Sequence, residues 1–340
     1  MRSKLASASG GRQMSVFAIL RRRILSRLVR ARPLRLVAAA AIAVTAGAAA
    51  AAPAQAPEWR RAATMPVPRG EVAATVLRGE IVVVGGFIAS GQNSSRVDAY
   101  SPRTDRWRRL PDLPAAIDHA MAAAYRGRLY VVGGYGVARE RRAAAYVFTN
   151  GRWRRLRPMP EGRAAAGAVV IGSRLYVVGG VGPTGLARTA FVYDLRRGRW
   201  SSFPGPTPRE HLAVTASGGQ IYVLAGRRAG IDTNMTAFES YQPGRSWTRL
   251  PAIPDPRGGT AAAALVGQIV SAGGEEPQGT IGEVYAYEIR TRRWRRLPDL
   301  PTPRHGLGVV AADGRVYVIA GGREPGLAVS GVNEFLPIAR

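Results

Sequence analysis

Cysteine is absent from this 340-residue chain. Its absence excludes disulfide bonds, thiol catalysis and cysteine-ligated zinc, and it also excludes the lipidated cysteine of a bacterial lipoprotein. Lysine is nearly absent too, because every basic residue except Lys4 is an arginine, and there are only three histidines. Together with abundant alanine and glycine, this usage resembles the codon bias of high-GC bacterial genomes, so we expect a bacterial protein.

Acidic residues are scarce, with 22 against 49 basic residues and a formal net charge of +27. Ten of the basic residues precede Glu58 without any acidic residue among them, which leaves 39 basic and 22 acidic residues, about +17, for the rest. An excess of this size favours anionic partners, although salt weakens the attraction. With 46% apolar and 21% charged residues, the chain is expected to be globular.

The first 57 residues read as an export segment. A basic stretch, with RRRILSRLVRARPLR at residues 21–35, precedes an uncharged alanine-rich run over residues 36–57 that contains small residues suited to cleavage. We expect export to the cell surface or medium with this segment removed, while an uncleaved membrane anchor and a cytoplasmic alanine-rich tail remain open. The general or twin-arginine route and a start at Met1 or Met14 are equally open.

The remaining chain repeats one unit about every 47 residues. Tryptophan recurs at Trp59, Trp107, Trp153, Trp200, Trp247 and Trp294. A pair of small residues keeps step with it, at 85–86, 133–134, 179–180, 225–226, 273–274 and 321–322. An aromatic residue precedes the tryptophan, at Tyr100, Tyr146, Tyr193, Tyr241 and Tyr287, with Phe335 in the last copy. These three series of residues recur with the same period, which indicates a repeat architecture.

Each unit reads as four short strands separated by Gly, Asn and Asp turns, and no window carries a helical period. Four strands per repeat predict an all-β fold, a β-propeller with one blade per unit. An apolar run, Gly-Gly, Tyr and then Trp resembles the Kelch motif, and the resemblance covers residues 58–340. The last unit ends at a third strand, so we expect EWRRAATMP at residues 58–66 to complete a sixth, antiparallel blade.

Candidate functional residues lie where the copies differ, near the start of each innermost strand. Sixteen residues before the small-residue pair lie Arg69, Ile117, Arg163, Arg209, Arg257 and His305, with Arg304 beside the last. Two residues further on lie Glu71, His119, Ala165, His211, Gly259 and Leu307. On one interpretation, the arginines and histidines form a ring that binds carboxylates or acidic sugars. On the other, the arginines belong to the scaffold, and their guanidinium groups donate to backbone carbonyls of the neighbouring blade. The Kelch resemblance implies a binding surface on this face.

The leading functional hypothesis is a non-enzymatic, monomeric binding module that recognises a peptide or an acidic glycan at this face. The alternative is an enzyme acting on an acidic sugar, as in the sialic acid mutarotase of Kelch-like propellers, with Glu71, His119 and His211 as acid–base groups. Kelch-like copper oxidases are excluded because their cofactor needs a cysteine. We expect no metal, because repeats far apart around the ring hold the histidines and no carboxylate pairs with them in the sequence. We expect no nucleic acid partner, because of export and the lack of aromatic-basic interleaving on this face, and we expect no cofactor.

Deletion of residues 58–66 should sharply lower the thermal unfolding temperature, because it removes the strand that closes the ring. Differential scanning calorimetry of the deleted and intact chains measures the difference. An unchanged melting temperature would mean that the blades are divided differently.

Overall fold

The computed structural model describes residues 57–338, which fall within one compact unit. The expected export segment, residues 1–57, lies outside the described residues apart from Pro57. Within residues 57–338, no helix is long and apolar enough to cross a membrane.

The described residues form six four-stranded antiparallel sheets, which are the blades of a propeller. The chain enters through β1 (Arg60–Arg61). Blade 1 contains β2 (Ala73–Leu77), β3 (Glu80–Val84), β4 (Val97–Ser101) and β5 (Arg106–Leu110). Blade 2 contains β6 (Met121–Tyr125), β7 (Arg128–Val132), β8 (Ala145–Thr149) and β9 (Arg152–Arg155). Blade 3 contains β10 (Gly167–Ile171), β11 (Arg174–Val178), the ribbon β12 (Val181–Gly182) and β13 (Gly185–Leu186), β14 (Thr189–Asp194) and β15 (Arg199–Pro204).

The second half of the ring repeats the pattern. Blade 4 contains β16 (Ala213–Ser217), β17 (Gln220–Leu224), a 3-10 turn (Ile231–Thr233), β18 (Phe238–Tyr241) and β19 (Trp247–Arg249). Blade 5 contains β20 (Ala261–Leu265), β21 (Gln268–Ala272), the ribbon β22 (Glu275–Glu276) and β23 (Gly279–Thr280), β24 (Val284–Glu288) and β25 (Arg293–Leu297). Blade 6 contains β26 (Gly308–Ala312), β27 (Arg315–Ile319), β28 (Asn333–Pro337) and β1.

The N-terminal strand closes the ring, as the sequence predicts. In β1, Arg60 pairs with Phe335 and Arg61 with Glu334 of β28, so the first and last strands share a sheet. The expected all-β, six-bladed architecture is thus confirmed. Sharing a blade removes the two open edges that a linear array of blades would present.

The core lies between the blades. Alternate residues of the second strand face opposite sides of its sheet. In β3, Val82 and Val84 join an apolar cluster with blade 2, whereas Ile81 and Val83 join a cluster with blade 6. Each blade is therefore buried on both faces, which explains why the second strands are nearly continuous runs of Val, Ile, Leu and Tyr.

The six tryptophans link the outer strands of adjacent blades. Each indole N–H donates to a backbone carbonyl in the preceding blade, over 2.7–2.9 Å. The acceptor always lies four residues after the preceding tryptophan, as in Trp107 to Ala63 and Trp59 to Pro298. The bond from Trp59 spans the closure, so the ring of tryptophan contacts is continuous.

Two sequence registers need correction. In blade 2 the residue opposite Trp153 is Phe148 and not Tyr146, because a two-residue turn joins β8 to β9 where β4 and β5 have four residues between them. In blade 6 the small-residue pair is Ala320–Gly321 and not 321–322, since Ala320 and Gly321 have left-handed backbone and Gly322 does not.

The Gly-Gly pairs turn the chain where neighbouring blades come close. Gly133 has φ +67°, and a Cβ there would lie 2.3 Å from the carbonyl oxygen of Arg163 in the next blade. The Gly134 N–H donates to that same oxygen over 2.8 Å. These glycines therefore serve the blade contact as well as the bend.

Gly133→Ala should destabilise the protein by at least about 2 kcal/mol more than Gly151→Ala, because only the first introduces a backbone clash. Gly151 is the matched control, with φ +73° and no heavy atom within 4 Å of its would-be Cβ. Strain from left-handed backbone, about 1–2 kcal/mol, is common to both. Unfolding in urea measures the difference, and equal losses would contradict the proposed contact.

Candidate functional site

A ring of backbone hydrogen bonds closes the channel mouth. One residue per blade contributes, namely Glu71, His119, Ala165, His211, Gly259 and Gly306. All six have left-handed backbone, with φ from +49° to +65°. The N–H of each donates to the carbonyl of its counterpart in the preceding blade over 2.8–3.2 Å, except that Val72 supplies the N–H that bonds Gly306. Because the backbone repeats, equivalent side chains start from equivalent places around the axis.

The side chains of this ring bring blades 1, 2 and 4 together. The Glu71 Oε2 atom lies 3.2 Å from His119 Nε2, and that nitrogen lies 2.9 Å from His211 Nε2. Ala165 stands between the two histidines in the ring, and its small side chain leaves the space in which they meet. The expectation that the repeats hold these histidines far apart is therefore wrong.

Carboxylates contact the outer nitrogen of each imidazole. Asp118 bonds the Nδ1 atom of His119, and Glu210 Oε1 lies 3.3 Å from Nδ1 of His211. Each acid directly precedes its histidine in the chain, so the Asp-His and Glu-His dipeptides were a visible signal that the sequence reasoning missed. Arg139 donates to both oxygens of Asp118 over 3.0 and 3.1 Å.

His305 joins the network from outside the ring. Its Nε2 donates to the backbone carbonyl of Glu324 over 3.0 Å, and its Nδ1 lies 3.2 Å from Glu71 Oε1 and 3.5 Å from Glu275 Oε2. Glu275 in turn accepts from Arg227 over 2.6 Å. In blade 6 the residue in the backbone ring is Gly306 and not Leu307, which the sequence predicts, because the small-residue pair lies one residue earlier.

Burial and nearby carboxylates compete at the three imidazoles. Burial lowers the pKa of each, but Glu71 and Asp118 more than offset this at His119 and raise its pKa. Glu71 likewise outweighs burial at His305 and raises that pKa. At His211 burial prevails, and the charge on His119 adds to it, so the pKa is lowered.

Glu71 lies at the centre of this network. Burial would raise the pKa of its carboxyl group, but His119, His305 and His211 outweigh burial and hold the pKa well below its usual range. A carboxylate surrounded by imidazoles in a cleft is the kind of perturbed group that clusters at functional sites. Two sets of ligand atoms each converge to within 4.8 Å of one another, Glu71 with His119 and His211, and Glu71 with Glu275 and His305.

The arginines singled out in the sequence are buried. Arg69, Arg163, Arg209, Arg257 and Arg304 have no exposed surface. Arg304 donates to the backbone carbonyls of Thr302, Val318 and Ala320 and pairs with Glu334 over 2.7 Å. Arg69 pairs with Asp98 over 2.6 Å, and burial lowers its pKa to about 10. This packing favours the scaffold alternative, because no ligand reaches these guanidinium groups without displacing core contacts.

A cavity of about 410 Å³ lies over the histidines. Its walls include Phe87, Val137, Arg139, Arg227 and Leu327. The Arg139 guanidinium lies over the Phe87 and Tyr135 rings, and both rings meet His119 edge-on. The cavity therefore combines an ionic floor with aromatic and aliphatic walls.

The closed ring of four-stranded blades, each carrying the tryptophan and glycine positions described above, defines a six-bladed Kelch-type β-propeller. A family model, the KLHDC2/KLHL20/DRC7 Kelch-repeats domain, matches residues 54–226 and 165–335 in two overlapping stretches. The chain therefore belongs to the Kelch-repeat family.

One curated relative is the Kelch-like protein terF of Aspergillus terreus, which is 31% identical over 106 residues. The matched part spans 29% of this chain and 23% of that protein. The match thus spans about a quarter of the relative's length.

Replacement of a buried arginine should destabilise the propeller without a specific effect on binding. Arg304→Met leaves Glu334 buried and unpaired, which should cost about 3–5 kcal/mol, whereas exposed Arg295→Met should stay within about 0.5 kcal/mol. Urea unfolding measures both changes, and Arg304→Met/Glu334→Leu should recover much of the loss. A stable Arg304→Met protein that has lost ligand binding would instead support the ligand ring.

Proposed function

We propose that this chain is an exported bacterial Kelch-repeat protein that binds a ligand, without catalysis, in the cavity at its channel mouth. Support for export comes from the basic and then uncharged pattern of residues 1–57. Support for binding comes from the loops that differ between blades, which surround the cavity while the repeated strands provide a rigid scaffold.

The observation that carries the proposal is an exposed apolar rim. Val137 is 74% exposed and Leu327 63%, the two highest values among large apolar side chains of residues 57–338, and both line the cavity. Apolar side chains beside a cleft with a few polar groups are typical of binding sites. Isolated exposed side chains elsewhere need no such explanation, but these two share one cavity.

A peptide segment fits the cavity better than an acidic glycan. The buried arginines are engaged within the blades, so the cations that face the cavity are Arg139 and Arg227, and both already pair with carboxylates. The aliphatic rim and the Phe87 ring suit an apolar side chain, while Arg139, about half exposed, suits a neighbouring carboxylate. An acidic glycan would use the cations but leave the rim without a partner.

The full chain should therefore bind apolar-acidic peptides more tightly than acidic glycans in a fluorescence-based screen. Val137→Ser/Leu327→Ser should weaken peptide binding more than about 10-fold, because burying a side chain of this size contributes about 1.5–3 kcal/mol. Val266→Ser is the matched control, since Val266 is 42% exposed and lies outside the cavity.

Equal affinities for the two variants would contradict the rim as the binding surface. Binding that both variants retain but modest salt removes would point to diffuse charge instead. Tighter binding of acidic glycans would reverse the preferred ligand class.

The alternative function, an enzyme acting on an acidic sugar, is supported by the contact between Glu71 and His119, which places a carboxylate and an imidazole within proton-transfer reach. Its signature would be faster interconversion of sugar anomers by the full chain, observed by NMR. The Glu71→Gln chain should lose that acceleration, and no acceleration by the unsubstituted chain would exclude this reaction.

A further inference from the structure

His119 and His211 face each other through their Nε2 atoms. These nitrogens lie 2.9 Å apart, and the Nδ1 atom of each ring faces a carboxylate, Asp118 or Glu210. A carboxylate that accepts a hydrogen bond from Nδ1–H leaves the lone pair on Nε2. Two opposed lone pairs repel unless a proton on one of the nitrogens or a metal ion lies between them. Carboxylates on the outer nitrogens are also the usual partners of histidines that bind metal ions.

Glu71 completes a set of three ligand atoms. Its Oε2 lies 3.2 Å from His119 Nε2, and the three atoms from Glu71, His119 and His211 lie within 4.8 Å of one another. Bond lengths of about 2.0–2.2 Å to nitrogen and oxygen place the ligand atoms of a tetrahedral ion roughly 3.3–3.6 Å apart. The separations of 3.2 Å between Glu71 and His119 and 2.9 Å between the two histidines are each within about 1 Å of that range.

The charge of the surrounding side chains points the same way. Four buried or largely buried carboxylates meet here, on Glu71, Asp118, Glu210 and Glu275. Two guanidinium groups, on Arg139 and Arg227, pair with three of them. Four negative and two positive charges leave about −2 before the imidazoles are counted, and His119 and His211 are neutral when they bind a metal ion. A divalent cation neutralises that charge.

His305 supplies an independent indication. Its side chain is 1% exposed, and its Nδ1 has no hydrogen-bond partner of good geometry among the described residues although it is directed at Glu71 and Glu275. A buried polar atom without a hydrogen bond lowers the stability of the folded protein. It is accounted for if Glu71 shifts slightly towards an ion and presents its other oxygen, Oε1, to His305.

We propose that Glu71, His119 and His211 bind one divalent transition-metal ion, with zinc as the best match, at the floor of the channel-mouth cavity. Two imidazoles and one carboxylate favour zinc and related ions over magnesium or calcium, which prefer oxygen ligands. All three ligands line both the cavity and the channel between the innermost strands, so a remaining coordination position is within reach of these spaces. The site goes beyond the peptide-binding proposal and stands without it.

Calorimetric titration of the untagged full chain with zinc chloride tests the site. We expect one zinc ion per chain and no comparable binding of magnesium. His119→Asn/His211→Asn should weaken zinc binding by at least about 100-fold, which exceeds the roughly 10–100-fold cost of losing an outer partner. Asparagine suits these positions because it tolerates left-handed backbone and keeps a donor near the place of Nδ1.

Glu71→Gln should also weaken zinc binding, whereas Glu140→Gln should not. Glu140 is the matched control, an exposed carboxylate in the loop after the Gly-Gly pair of blade 2. No zinc binding by the intact chain at up to about 1 mM, or equal affinity in the double asparagine variant, would overturn the proposal. No peptide or glycan enters this titration, so its result is independent of the proposed function.

Long-range ¹H–¹⁵N NMR of the intact chain gives a second measurement that needs no variant. The chain has three histidines, and zinc should change the Nε2 resonances of two of them while both keep the proton on Nδ1. His305, which donates through Nε2 to Glu324, should keep its Nε2 proton. Unchanged ring resonances at saturating zinc would also overturn the site.

Discussion

Six backbone N–H groups, five of them on residues with left-handed backbone and the sixth on Val72, join the innermost ends of the blades into one hydrogen-bonded ring. Together with the hydrogen bonds at the small-residue pairs and at the tryptophans, this ring sets the angle between neighbouring blades. It also holds six side-chain positions on one fixed frame. The meeting of Glu71, His119 and His211 follows from that frame, because residues about 50 to 140 positions apart in the chain occupy equivalent places around a narrow mouth.

Buried charge organises the layer behind the ring. Each buried arginine bridges strands of its own blade through backbone carbonyls, and its charge is balanced by a carboxylate such as Asp98, Glu239 or Glu334. In blade 3 the third strand has the aromatic residue Phe191 in place of such a carboxylate, and the guanidinium of Arg163 lies over its ring. In blade 2 the arginine is replaced by Ile117, which joins the apolar core, and the acid that follows it turns to His119. The loss of one scaffold cation thus coincides with the start of the histidine network.

The architecture was accessible from the sequence because its signals are local and repeated. A tryptophan at the position of Trp107 and a small residue at the position of Gly133 recur in every copy, so the strand count follows from the period, while the closure of the ring follows from the outer-strand sequence at residues 58–66. The sequence assigned the wrong residue in two copies. In blade 2 a shorter turn follows β8 and puts Phe148 opposite the tryptophan, and in blade 6 alanine, at Ala320, replaces the first glycine of the pair. The burial of Arg69 was left open because a Pro-Arg pair reads the same in a core and on a surface.

The histidine contact was beyond sequence reasoning, since it depends on the diameter of the mouth. Two side chains from blades 2 and 4 meet only because Ala165 is small and the backbone ring is narrow. The acids before His119 and His211 were visible in the sequence, but their direction was not. The left-handed backbone of His119 and His211 decides whether the acid before each of them contacts that histidine or solvent. Tertiary contacts impose this backbone conformation, which residues other than glycine seldom adopt.

The pairing of β1 with β28 also bears on how the protein is made. Among the strands of residues 57–338, β1 is synthesised first and its partner β28 last, so blade 6 is completed only after β28 has been made. Contacts between such distant segments are slow to form, because a very long loop must close first. Until β28 reaches β1, blade 6 lacks its outermost strand and the ring keeps an open edge.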